Sequence, residues 1–172
     1  MWLMYMKNFI VTLMALGMLL LSTSPVMADS YSGPYSGPSE SKNILIDKRV
    51  GVPHDTKGGT TYEYIDNVST DRYTFKPHSF VFFEIRVKNT STVRLHDVMV
   101  VDYSPDYFNL YENPGTLSSD KRSLNFNAGD FGPGEEKVFV VRGRIYHDDN
   151  VPTGTRCIVN RVRASSEGVS DE

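Results

Sequence analysis

The sequence has one cysteine, Cys157, and one tryptophan, Trp2, in 172 residues. A lone cysteine excludes a disulfide framework within the chain, so a covalent staple, if there is one, is of another kind. Cys157 alternates to the outward side of its segment, as a small filler or as a link to another chain. Basic charge is also scarce: 18 Lys and Arg stand against 21 Asp and Glu, a net charge of −3. That leaves no basic surface for nucleic acid. The four histidines, His54, His78, His96 and His147, are scattered without metal-ligand spacing. His96 adjoins Asp97, but no serine or cysteine nucleophile is recognisably placed with them. Sustained helical periodicity is missing too, and there is one long apolar run, near the N-terminus.

That run, Phe9 to Leu21, follows the single positive charge of Lys7 and precedes "SPVMA", with small residues Val26 and Ala28 before Asp29. Residues 1–28 read as a secretory signal peptide, too short for a comfortable membrane span. The mature protein is expected outside the cell or at its surface, with no transmembrane anchor after cleavage. Residues 29–42, "DSYSGPYSGPSESK", repeat "YSGP" and read as a flexible linker. The polar close, "SSEGVSDE", has no sorting motif or hydrophobic tail. Free secretion, retention by a partner and membership of a longer chain all stay open.

Between these segments the pattern has period two. In "FVFFEIRVK", Val81, Phe83, Ile85 and Val87 alternate with Phe82, Glu84, Arg86 and Lys88, as in a half-buried antiparallel strand. "ILIDKRV" is the first strand, and "TTYEYIDNVS" an extra strand or edge hairpin after it. "LHDVMVVDY" puts Val98, Val100 and Asp102 on one face and Leu95, Met99 and Val101 on or near the other, which suits a central strand. "DYFNLY", "SLNF" and "KVFVVRGRIYH" follow, the last with Phe139, Val141 and Ile145 in register. "RCIVNRVRAS" closes the domain with Ile158, Val162 and Ala164 on one face. Short strands punctuated by Gly, Pro and Asn predict an all-β, antiparallel sandwich of about seven to nine strands over residues 43–168, with 169–172 a polar tail.

The pieces "KPHS", "VKN", "VVD", "GDFGPGE" and "NRVRAS" occur in that order along residues 43–168. Together they resemble the conserved-repeat domain of bacterial surface proteins, domain of unknown function 11. The chain departs from that pattern in lacking a glycine in "KPHS", in having Ser104-Pro105 after the aspartate, and in inserting "TTYEYIDNVSTDRY". The resemblance implies an immunoglobulin-like sandwich displayed at a bacterial surface. It implies a structural or adhesive role, partners among extracellular proteins or glycans, no cofactor and no catalysis on an outside substrate.

Three polar residues share faces with core residues. Lys48 falls with Ile44, Ile46 and Val50, Asp102 with Val98 and Val100, and Asn160 with Ile158, Val162 and Ala164. Singly, each has an ordinary account: a snorkelling lysine, an asparagine serving backbone groups, an aspartate opening a turn. Jointly they have another. In immunoglobulin-like sandwiches the first and last strands often lie side by side, which would bring Lys48 to Asn160. Burial lowers the pKa of an amine and raises that of an acid. A proton moved from Lys48 to Asp102 leaves a nucleophile beside an acid that can polarise the Asn160 carboxamide. Surface adhesins and pilins with similar domains make such Lys–Asn isopeptide bonds, with Asp102 here in the catalytic place.

The alternative is a carbohydrate- or calcium-dependent binding module. Phe82, Tyr62, Tyr64, Tyr107 and Tyr111 could line a binding face. Asp148 and Asp149, with Asn150, form an acidic turn and are weak candidates for calcium. Asn67 and Asn89 lie in N-x-S sequons.

Overall fold

A computed structural model of the chain describes residues 41–172 except 112, 148–149 and 155–157. The segment read as a signal peptide, all but residues 41–42 of the one read as a linker, and Asp148, Asp149 and Cys157 therefore lie outside the described residues. Alternation with period two gives strands, and ten are present among the described residues. They are β1 (Ile44–Thr56), β2 (Gly59–Ile65), β3 (Phe80–Asn89), β4 (Leu95–Tyr103), β5 (Phe108–Leu110), β6 (Thr116–Leu117), β7 (Ser123–Phe131), β8 (Glu136–Ile145), β9 (Arg161–Ser166) and β10 (Val169–Asp171). The expected all-β sandwich is present, as two antiparallel five-stranded sheets in the orders β2-β1-β3-β8-β5 and β10-β9-β4-β7-β6.

The inward faces make one core. Ile85, Val87, Val98, Val100, Leu124, Phe131 and Val141 are fully buried, and Phe83, Phe139 and Ile145 pack against them. β4 is central, as apolar residues on both its faces suggest. Several residues depart from the sequence reading. β1 continues past Val50 to Thr56 and forms the edge hairpin with β2. Leu95, expected on or near the face opposite Val98 and Val100, is fully buried in the same core as they are, because the β4–β7 register shifts between Leu95 and Val98. An irregularity of that kind swaps the face on which preceding residues fall. Ile158 is 38% exposed: β9 begins only at Arg161, so Ile158 has no ladder to hold it inward. Residues 169–171, read as a tail, form β10 on β9. Strand pairing uses backbone groups, and "VSD" needs no apolar pattern to supply them. The last linker residue, Lys42, pairs with Glu167 at 2.6 Å.

Asn89 of "VKN" is not a glycan acceptor surface. It is fully buried, and its Nδ2 donates to the carbonyls of Val93, Phe131 and Gly132 at 2.8–3.1 Å, while its Oδ1 accepts from Ser91 N–H at 2.8 Å. One side chain thereby ties the β3–β4 turn to the β7–β8 turn. Asn89→Ala strands these buried carbonyls and is expected to cost about 3 kcal/mol or more. Urea unfolding of that variant, with exposed Asn67→Ala as a neutral control, checks this.

Candidate functional site

The pleat turns Lys48 of β1 and Asp102 of β4 into the core from opposite sheets. Their side chains are 8% and 0% exposed, and Lys48 Nζ donates to Asp102 Oδ1 in a short ion pair. The amine also lies 4.5 Å from the Phe83 ring centroid. Asn160 precedes β9 by one residue and keeps the inward phase of Val162 and Ala164. Its carboxamide interacts with Asp102 and helps to hold that carboxyl's pKa down. Yet, among the described residues, Asp102 Oδ2 and both polar atoms of the Asn160 carboxamide are buried without a hydrogen bond of normal geometry. The three residues come together as the alternation suggested, on one carboxylate that meets the other two.

The expected side-by-side arrangement of first and last strands is corrected. β1 is bonded to β2 and β3, and β9 to β4 and β10, so they belong to different sheets. Each is second from the edge of its sheet. At the part of β1 that β2 does not pair, Ile46 N–H donates to Asp171 Oδ2 of β10 at 2.8 Å.

Burial sets the electrostatics. It lowers the Lys48 pKa from 10.5 to about 8, against the opposing pull of Asp102. It raises the Asp102 pKa, against Lys48 and Asn160. Both shifts move the pair toward a neutral amine beside a neutral acid. Lys48 and Asn160 also line a cavity of about 640 Å³ walled by Phe83, Phe108, Phe75 and Tyr107. Gly143 makes this wall possible: a Cβ there would lie 1.9 Å from Phe108 Cε1.

The other sequence candidates do not join this cluster. His96 is exposed and pairs its Nδ1 with Asp130 at 3.0 Å, and His54 pairs with Glu63 at 3.1 Å. Tyr107 lines the cavity, whereas Tyr62, Tyr64, Phe82 and Tyr111 belong to the outer side of the β2-β1-β3-β8-β5 sheet.

No family model and no curated protein matches the chain. Among solved structures, biomass-sensing modules from proteins of Clostridium thermocellum designated Rsgi-like are similar to it. Those modules are described as resembling the family 3 carbohydrate-binding module of the cellulosome. The identity is 15% with a TM-score of 0.30, over 72% of this chain and 95% of that one. Asn89, and Arg142 and Arg144 opposite Phe82 and Phe80 on the outer face, escaped sequence reading; the "VKN" turn was the available signal for the first, and the arginines had none.

Proposed function

We propose that this is an exported, cell-surface structural or adhesive module of a bacterium that cross-links itself through a Lys48–Asn160 isopeptide bond. The observation that carries the reading is the buried Lys48–Asp102 pair facing a carboxamide whose polar atoms have no other partner among the described residues. A buried ion pair is costly, and leaving polar atoms unsatisfied adds to the cost. A reaction that removes the charge and consumes the carboxamide relieves both.

The chemistry balances within the chain. Lys48 passes a proton to Asp102. The neutral Nζ attacks Asn160 Cγ while the Asp102 acid donates to Oδ1. The Nζ–Cγ bond forms, the Cγ–Nδ2 bond breaks, and Nδ2 leaves as ammonia with the second Nζ proton. As the carbonyl re-forms, the Oδ1 proton returns to Asp102, which then yields it to the departing ammonia; ammonium leaves and Asp102 ends as a carboxylate. The apolar wall of Phe83 and Phe108 keeps the amine unsolvated and so nucleophilic. The resulting staple would join the two sheets, between the first strand and the segment entering β9. A pull on both ends of the domain would then pass through it, which suits a surface stalk or adhesin. The resemblance to surface-protein repeats supports the same role.

Intact-mass measurement of the folded mature chain tests this. One ammonia should be missing, and a proteolytic map should join the Lys48 and Asn160 peptides. A full-mass chain after prolonged incubation would falsify the cross-link. A second reading, a carbohydrate-binding module, is favoured by the aromatic rings on the outer face of the β2-β1-β3-β8-β5 sheet.

A further inference from the structure

We infer that the outer face of the β2-β1-β3-β8-β5 sheet binds a linear acidic polysaccharide. Its sugar faces would stack on a transverse row of aromatic rings, and its carboxylates would pair with Arg142 and Arg144. This deepens the carbohydrate-binding reading and is independent of the cross-link, since Lys48 points to the opposite, inner face of the sheet.

The strand register writes the row. Tyr64 stands opposite Gly51, Gly51 opposite Phe82, and Phe82 opposite Arg142. Tyr111 N–H then donates to the Arg142 carbonyl at 3.1 Å. One line of residues thus crosses four strands and reaches the residue just after β5, about 19 Å at ordinary strand spacing. Beside it, Phe80 faces Arg144, and Arg144 faces Asn109. The rings touch along the row: Tyr62 and Phe82 centroids are 4.7 Å apart, Phe80 and Tyr111 5.6 Å. Gly51 lets the tyrosines lie down on the sheet, for a Cβ there would come within 3.1 Å of Tyr64 and 3.3 Å of Tyr62.

Covering a strand glycine with aromatics is a structural device in its own right. It accounts for Tyr62 and Tyr64 and leaves the arginines unexplained. The Arg142 guanidinium lies 5.0 Å from the Tyr111 centroid and 5.5 Å from that of Phe80, and Arg144 lies 4.9 Å from Phe80. Among the described residues neither pairs with a carboxylate; Arg144 bonds the carbonyl and ring nitrogen of His78 at 2.9 and 3.2 Å. Elsewhere on this face the arginines are matched, Arg49 with Asp47 at 2.9 Å and Arg86 with Glu84 at 2.6 Å. Among the described residues the arginines of this face that lack a carboxylate are the two at the aromatic row, so the complementary ligand there is anionic. A flat row of this length fits a polymer better than a small molecule. Aromatic faces take the C–H faces of sugars, and arginine takes a carboxylate with two parallel hydrogen bonds.

The full chain should be retarded in native gels containing polygalacturonate, far less in gels containing its carboxyl-reduced neutral counterpart, and less as salt rises. Arg142→Gln with Arg144→Gln, and separately Phe80→Ala, should weaken that binding roughly tenfold or more. Their melting should stay unchanged, with Lys88→Gln as a control without effect. Equal retention by both polymers, indifferent to the arginine changes, overturns the acidic ligand and leaves the glycan reading standing. Retention by neither overturns both. Self-association of the free chain that Phe80→Ala abolishes overturns the proposal in favour of a face packed between copies.

Discussion

Lys48→Ala and Asn160→Ala are each expected to keep the full chain mass and to lose about 4 to 5 kcal/mol of stability. That is the chain-entropy value for freeing a loop of roughly 110 residues between positions 48 and 160. For a domain of this size it corresponds to a fall in melting temperature on the order of 15 °C. Intact mass with thermal or denaturant unfolding measures both. The pair of variants separates the bond from its surroundings. Lys48→Ala also removes a buried ammonium, whereas Asn160→Ala leaves the Lys48–Asp102 pair in place. A similar loss in both is the signature of a missing cross-link. Wild-type stability in both, with unreduced mass, would leave a plain sandwich with a buried ion pair.

The Asn160→Ala variant should also carry an unusual pH signature, because its pair cannot react. Lys48 has a folded pKa of about 8 against an ordinary 10.5. Between those values the unfolded chain binds more protons than the folded one, so stability rises with pH across that window. Asp102 has its folded pKa raised above the ordinary 3.8. Just above 3.8 the folded chain binds more protons, so stability falls as pH increases there. The unreacted pair therefore contributes least to stability near neutrality, opposite to an exposed salt bridge. A flat profile over the alkaline window would mean that the amine is not desolvated.

Replacing Asp102 should have the second large effect. Asp102→Asn keeps the shape of the side chain and cannot accept the Lys48 proton, so freshly folded protein should retain its ammonia. Asp102→Ala should do the same and also leave the Lys48 ammonium unpaired in the core, at a cost of about 3 to 5 kcal/mol. Time-resolved intact mass after refolding, with urea unfolding of the products, distinguishes the two substitutions. Ammonia loss at the wild-type rate in Asp102→Asn would remove Asp102 from the chemistry and leave the lysine and asparagine to be explained without it.

The inward placement of Lys48 and Asp102 was legible because the pleat allows no other phase once Ile44, Ile46, Val98 and Val100 are inside. The same rule failed at Leu95 and Ile158. One precedes a register shift, and the other lies beyond the end of its strand. Nothing in "GVSDE" marked a strand, since Val169–Asp171 is held by backbone pairing and by Asp171 meeting Ile46. Asn89 read as a sequon, because a three-residue motif does not record that its amide is already engaged three times.

Strand content, the single sandwich domain and the inward phase of the polar residues were thus properties of the sequence alone, because period-two alternation is a local consequence of backbone geometry. Which strands neighbour which was decided by the tertiary structure. It set β1 and β9 in different sheets rather than side by side, gathered Lys48, Asp102 and Asn160 on one carboxylate, and lined up Tyr64, Phe82, Arg142 and Tyr111 across one sheet. Strand order depends on how two whole faces pack together, and no local pattern encodes that.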